Sequence, residues 1–351
     1  MLMFDAHLDL AFNAVDWHRN LEQTIEEIRA SEAAMTELGR GTGTVSLPEM
    51  RKGELGICLA TMFARLRQLA PSPYGNATPE ACYAVGMSHF SYYKAMERRG
   101  LMRSIKTRTE LSRHLDDWNA NQPHVPLGYL LSMECADMVL DPDHIFEWYD
   151  RGLRAIGLTH YGVNRYGGGT NSDQGLTPEA KALLRNMEQL KLPLDLTHLS
   201  DLAFEDAVNW FGGRVLASHQ NARKFANWQR QFTDAQINAV IERDGVLGMA
   251  LDAIMLQDGF VRGKTPPTVT LEGVADNIDH ICQLAGTARH VGIGSDLDGG
   301  YGTEQTPADL NTIADLQRLP EILARRGYSP ADIQGIMHGN WIRFFSETLP
   351  E

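Results

Sequence analysis

The chain has 351 residues, 43% hydrophobic and 22% charged, which is enough apolar material for a large core and too much for a disordered polymer. Its 45 acidic against 32 basic residues give a formal net charge of −13 and a pI near 5.4, so general electrostatic attraction to nucleic acid or to an anionic membrane is excluded and a small-molecule substrate fits better. The four cysteines (Cys58, Cys82, Cys135, Cys282) form no CxxC pair and read as free, buried thiols of a reducing compartment. No window reaches the roughly 18 uninterrupted apolar residues of a membrane span, and MLMFDAHLDL lacks the make-up of a signal peptide, so a cytoplasmic location is expected.

In chain order, residues 2–10 alternate towards a short strand and place Asp5, His7 and Asp9 at i, i+2 and i+4, on one face. A helical spacing over residues 20–38 ends at the glycine cluster of residues 39–43. Residues 55–63 (LGICLATMF) are a second, buried-type strand, and Arg65 beyond it is either solvated or set against an anionic part of a ligand. PSPYGNATPE reads as a turn-rich loop, and Thr78-Pro79-Glu80 opens a helix through Glu97 on which His89 is a surface or core residue. The third strand, residues 126–134, ends in Glu134, a carboxylate that is costly there unless solvated, paired or bound to metal. After a helical stretch at 143–152 comes the fourth strand, AIGLTH, ending in His160. A glycine-rich loop (161–175) and a helix opened by Thr177-Pro178-Glu179 follow.

The fifth and sixth strands end in Thr197-His198 and Ser218-His219 with an amphipathic segment (202–211) between them, a βαβ unit whose strand ends share a rim. A loop at 225–231 bears Arg230, a helix runs over 233–242, and residues 245–251 (GVLGMAL) are the seventh strand. The helix at 271–284 leads to the eighth, residues 290–296 (HVGIGSD), after which Leu297-Asp298-Gly299-Gly300 turns the chain away.

Eight apolar strands with helical segments between them predict a closed (β/α)8 TIM barrel, a single domain over residues 1–351. His7, Asp9, Glu134, His160, His198, His219 and Asp296 all stand at C-terminal strand ends, the face on which such barrels build their sites. This nitrogen and oxygen set, with no thiolate, suits Zn2+ or a similar divalent ion. Five ligands exceed the usual three of one catalytic zinc, so the natural solution is two ions about 3.5–4 Å apart with a water or hydroxide between them. Glu134 is the candidate bridge, because a carboxylate has two oxygens and an imidazole offers one lone pair.

FDAHLD, the glutamate of LLSME, LTH at Thr159-His160, DLTHLS, SHQNAR and GIGSDLDGG together resemble the membrane (renal) dipeptidase family, zinc peptidases with a (β/α)8 fold; the resemblance runs from Asp5 to the Gly339-Asn340 pair. It implies that His7 and Asp9 bind one zinc, that His198 and His219 bind the other, and that Glu134 bridges them. It also implies that Asp296 handles the proton of the bridging hydroxide, that His160 contacts the scissile carbonyl side, and that Arg230 holds the C-terminal carboxylate. The implied activity is metal-dependent hydrolysis of dipeptides, L-D dipeptides among them, with two Zn2+ per chain, other divalent ions being conceivable. Departures fall in loops: Cys135 follows Glu134 where the family often has Gly, Gln220 follows His219 where Ser is common, and Gln231 follows Arg230 where Asn is common. The dipeptide is therefore not named by the resemblance, and homo-oligomerisation stays open. The alternative is an amidohydrolase-type barrel acting on another amide, a lactone or a phosphoester, which commonly carries His-x-His where this first strand has His-x-Asp. A further expectation concerns Arg65, Arg165 and Arg223, loop cations at the strand-end face, one or more of which could hold an acidic substrate side chain.

Overall fold

The computed structural model describes residues 1–67 and 75–351, and its apolar runs pair edge to edge as parallel strands. These are β1 (Met3–Leu8), β2 (Leu55–Phe63), β3 (Met102–Ser104), β4 (Leu127–Glu134), β5 (Leu153–Gly157), β6 (Leu194–Asp195), β7 (Val215–Leu216), β8 (Leu247–Met249) and β9 (Val291–Ile293). The order is β7-β6-β5-β4-β2-β1-β9-β8. The ends of this series meet through a parallel bridge between Ala217 and Leu247, with Ala217 N donating to Val246 O at 3.0 Å and Gly248 N to Ala217 O at 2.8 Å. Eight parallel strands thus form the expected barrel, with helices in the connections.

β3 was not expected. It pairs with Leu127–Tyr129 of β4, while β5 takes Leu131–Met133 further along the same edge, since β2 occupies the other. Three residues with Arg103 in the middle carry no apolar run, which is why the pattern is silent there. The helix after it, Arg108–Asn121, starts at a Thr107/Glu110 capping box. The helix expected at 20–38 is only Ile25–Glu32, started by a Thr24/Glu27 capping box, and a second short helix, Leu47–Lys52, precedes β2. Pro79–Arg98 begins where expected, with the Thr78 hydroxyl accepting from Ala81 N. Residues 71–74 of the turn-rich stretch lie outside the described residues.

Inside the ring, Phe4, Ile57, Leu130, Ala155, Leu216 and Val246 come from six strand segments yet form one buried cluster with Trp341, Phe344 and Phe345 of the helix Asn340–Thr348. Phe4 stacks on Phe345 at 5.7 Å. The polar groups of this plug are all bonded: Trp341 Nε1 donates to Ile293 O (2.9 Å), Asn340 Nδ2 to Ala288 O and Val291 O (both 2.7 Å), and His338 Nδ1 to Leu2 O (2.9 Å). One end of the barrel is therefore filled with aromatic carbon, and the titratable strand residues collect at the other. The cysteines are free, with Cys58, Cys82 and Cys135 buried and Cys282 half-buried. Among the described residues no helix is long and apolar enough to cross a membrane.

Candidate metal centre

At the strand ends the ladder gives way to side-chain fasteners. Asp5 Oδ1 accepts from His7 N (3.1 Å) and Ser295 N (2.8 Å), and the Ser295 hydroxyl donates to Oδ2. Asp195 Oδ1 repeats the arrangement with Thr197 N and Ser218 N, both at 3.0 Å. Asn221 does the same for β7 and β8, donating to Ala250 O and accepting from Ala250 N at 3.0 Å. Asp5 therefore does not share a face with His7 and Asp9: a register shift between Asp5 and Leu8 breaks the alternation, and Asp5 ties β1 to the segment that carries Asp296. His198 (φ 68°), Asp296 (φ 58°) and Cys135 (φ 71°) adopt the left-handed region that L-residues avoid, so the chain is bent sharply where three strands deliver their polar groups.

The structure brings six of the expected residues into one cluster. His7 Nε2 lies 3.7 Å from Asp9 Oδ2, 3.7 Å from Glu134 Oε2 and 3.8 Å from Asp296 Oδ1. The other oxygen of Glu134, Oε1, lies 3.2 Å from His198 Nε2 and 3.4 Å from His219 Nε2, and these two nitrogens are 3.3 Å apart. Glu134 thus faces His7 with one oxygen and the His198/His219 pair with the other. The Nδ1 atoms of the two histidines meet hydroxyls, Thr170 Oγ1 at 3.1 Å and Ser218 Oγ at 2.8 Å. With Nδ1–H donated to those oxygens, both Nε2 lone pairs point at Glu134.

Electrostatics favours a cation here. Burial resists charging His7, yet the carboxylates of Glu134, Asp9 and Asp296 push it up to about 10. Burial pushes Glu134 up to about 7 despite the pull of His7, and it drives Asp296 well above the usual carboxylate range, helped by the like charges of Asp9 and Glu134. Burial likewise holds His198 and His219 well below the ordinary imidazole value, so they are neutral lone-pair donors. His7 Nε2 and Asp9 Oδ1 are buried with no hydrogen-bond partner among the described residues. Three close acids, neutral imidazoles and unpartnered donor atoms fit divalent metal ions. Groups of three ligand atoms within 4.8 Å of one another occur as His7/Asp9/Asp296, His7/Glu134/His219 and Glu134/His160/His198.

His160 and Arg230 stand at the margin. His160 Nε2 is 3.9 Å from Glu134 Oε1, and its Nδ1 lies 3.4 Å from Arg65 Nη1. A guanidinium only donates, so Nδ1 accepts and a neutral ring carries its proton on Nε2, towards the cluster. Burial, then Arg65 and Arg230, lower the pKa of His160 well below its ordinary value, which keeps it neutral. Arg230 is buried, its Nη1 donating to Gln220 Oε1 (2.6 Å) and its Nη2 to His219 O (2.9 Å), so it is held against the strand end that carries His219.

Two of the three loop arginines are engaged elsewhere. Arg223 makes a forked pair with Asp201 (2.6 and 3.1 Å), and Arg165 binds Glu179 (3.0 Å) and the Leu140 carbonyl. Among the described residues, Arg65 is the one of the three that reaches the site's margin, at His160. Asp252, directly after the run 245–251, was missed although it repeats the signal of an acid at a strand end. It is buried, accepts from Gln305 Nε2 on both oxygens (2.9 and 3.0 Å), and burial pushes it up to about 6.

Comparison with known proteins identifies the family. Residues 1–349 match the membrane dipeptidase family, peptidase family M19. The dipeptidase aclJ of Aspergillus oryzae is 26% identical over 98% of this chain and 77% of its own length. Among solved structures, a dipeptidase termed AC, a metallopeptidase of family M19, superposes with a TM-score of 0.80 at 23% identity, covering 100% of this chain and 99% of that one. A metallopeptidase from Rhodobacter sphaeroides, bound to a phosphinate mimic of L-Ala-D-Ala, gives 0.79 at 23% identity with 99% of each chain covered. The chain belongs to the membrane dipeptidase family and is an M19 metallopeptidase of the dipeptidase class.

Proposed function

From its membership of that family, we propose that this protein hydrolyses the single peptide bond of dipeptides, L-D dipeptides included, with two Zn2+ ions per chain. His7 and Asp9 would hold one ion and His198 and His219 the other, with Glu134 available to both. The observation that carries this reading is the two-sided Glu134, with Oε2 towards His7 and Oε1 towards His198 and His219. Such ions, when bound, lower the pKa of water and polarise a carbonyl.

Asp296, next to His7 and without an arginine or lysine partner among the described residues, takes a proton during attack and returns it to the leaving amine. His160 presents its Nε2–H to the oxygen that becomes negative. Arg230, with N–H groups beyond those given to Gln220 and His219, takes the C-terminal carboxylate and so limits the substrate to one residue past the cleaved bond. The L-Ala-D-Ala mimic bound by the R. sphaeroides enzyme supports including a D-residue on that side.

The test is release of free amino acids from a panel of L-L and L-D dipeptides, tripeptides, C-terminal amides, N-acetyl amino acids and a lactone. Dipeptides alone should be cut. Equal cleavage of Ala-Ala and its amide would remove the role of Arg230, and a lactone or N-acetyl substrate cut in preference would favour the amidohydrolase alternative.

A further inference from the structure

Arg65 is a cation at the site with no acidic partner. Its one side-chain hydrogen bond among the described residues goes to His160 Nδ1, and residues 68–74 (QLAPSPY) contain no Asp or Glu. A guanidinium has five N–H donors, so among the described residues most of its capacity is uncommitted. Its position is nonetheless fixed through the backbone. Asn76 N donates to Arg65 O (2.8 Å), Arg67 N to Asn76 O (2.8 Å), and Leu66 N to Asp137 Oδ2 (2.8 Å). Asp137, the nearby acid, gives Oδ2 to Leu66 N and the Cys135 thiol, and among the described residues neither of its oxygens pairs with Arg65.

Topology places Arg65 relative to the substrate. It follows β2, whereas Arg230 follows β7. In the ring the route from β2 to β7 passes β4, β5 and β6 on one side and β1, β9 and β8 on the other, so the two strands are diametrically opposed. Arg65 Nη1 lies 3.4 Å from His160 Nδ1 and Arg230 Nη2 lies 2.9 Å from His219 O, so the two cations sit against strand ends of the same site. With Arg230 on the C-terminal carboxylate, the opposite flank belongs to the N-terminal residue of the dipeptide.

We propose that Arg65 recognises a carboxylate on the side chain of the substrate's N-terminal residue, so that the preferred dipeptides begin with Asp or Glu. This rests on the dipeptidase reading above and adds the substrate class. A charge-assisted, forked pair to a carboxylate in a partly desolvated site discriminates against an isosteric amide, which offers one acceptor oxygen and no charge.

The test compares kcat/KM of the metal-loaded full chain for L-Glu-L-Ala, L-Gln-L-Ala, L-Ala-L-Glu and L-Ala-L-Ala. Glu-Ala should exceed Gln-Ala by about tenfold or more, the worth of one charge-assisted hydrogen bond. Arg65→Met should bring that ratio close to one, mainly through KM, and Arg65→Glu should turn the preference towards Lys-Ala, a reversal that a merely structural arginine would not produce. If wild type cuts Gln-Ala as well as Glu-Ala, prefers Ala-Glu, or keeps its ratio in Arg65→Met, the proposal is overturned while the dipeptidase reading stands. If none of the four dipeptides is cut, both fall together.

Discussion

The two ends of the barrel solve opposite problems with the same strands. At one end Trp341, Asn340 and His338 give their donors to backbone carbonyls and the aromatic rings stack, so polar atoms are satisfied and volume is filled. At the other, buried carboxylates and imidazole nitrogens converge, with His7 Nε2 and Asp9 Oδ1 unpartnered among the described residues and three strand ends bent into left-handed backbone. The first arrangement stabilises the chain by itself. The second leaves buried charge and donor atoms uncompensated until a cation binds, which is how a functional site departs from the rule that buried polar groups are paired.

Substitutions should separate the ends. The largest effect on catalysis is expected at Asp296, where Asp296→Asn keeps both metals but lowers kcat/KM by about 10²–10⁴-fold, the range for a positioned acid or base, as steady-state kinetics and elemental analysis of one preparation would show. At the plug, Trp341→Ala leaves a large cavity and should cost about 3–5 kcal/mol in denaturant unfolding, with metal content per folded chain preserved. The site should answer differently: in chelator-stripped protein, Glu134→Gln relieves repulsion with Asp9 but removes the carboxylate facing His7, so stability should change by under about 1 kcal/mol, whereas in the presence of metal the same variant loses stabilisation.

A smaller effect separates the ends by pH. The Asp252 carboxyl sits at about 6 in the fold against an ordinary 3.8, so the native state holds its proton through the window in which the unfolded chain releases it. The stability of metal-free wild type relative to Asp252→Asn should then fall as pH rises from about 4 to about 6 and level off above, as urea titrations across that range would reveal. Smallest is Arg223→Met, which breaks an exposed-side pair with Asp201 and should change stability by under about 1 kcal/mol with no change in the Glu-Ala to Gln-Ala ratio.

The difference between the ends also explains what was legible beforehand. The site residues could be read because six of the eight apolar runs stop at a titratable site residue, and a parallel barrel collects all such stops on one rim. β6 and β7 are only two residues long, where longer runs were expected, because Asp195 replaces ladder bonds with side-chain ones. Asp5 was misplaced for a related reason: strict alternation assumes no register shift, and one occurs between Asp5 and Leu8. The plug left no comparable mark, because residues 300–351 carry no strand pattern and the residues that Phe344 and Phe345 meet lie far away in sequence. Arg165 and Arg223 read the same as Arg65 in one dimension, and only folding reveals that Glu179 and Asp201 neutralise them.

The central claim is a Glu134 that serves two ions, and metal stoichiometry tests it most directly. Elemental analysis of protein loaded with excess zinc and freed of unbound metal should give two zinc atoms per chain, with both sites weakened together in Glu134→Ala. One zinc per chain in fully loaded wild type, or two retained tightly in Glu134→Ala, would contradict it.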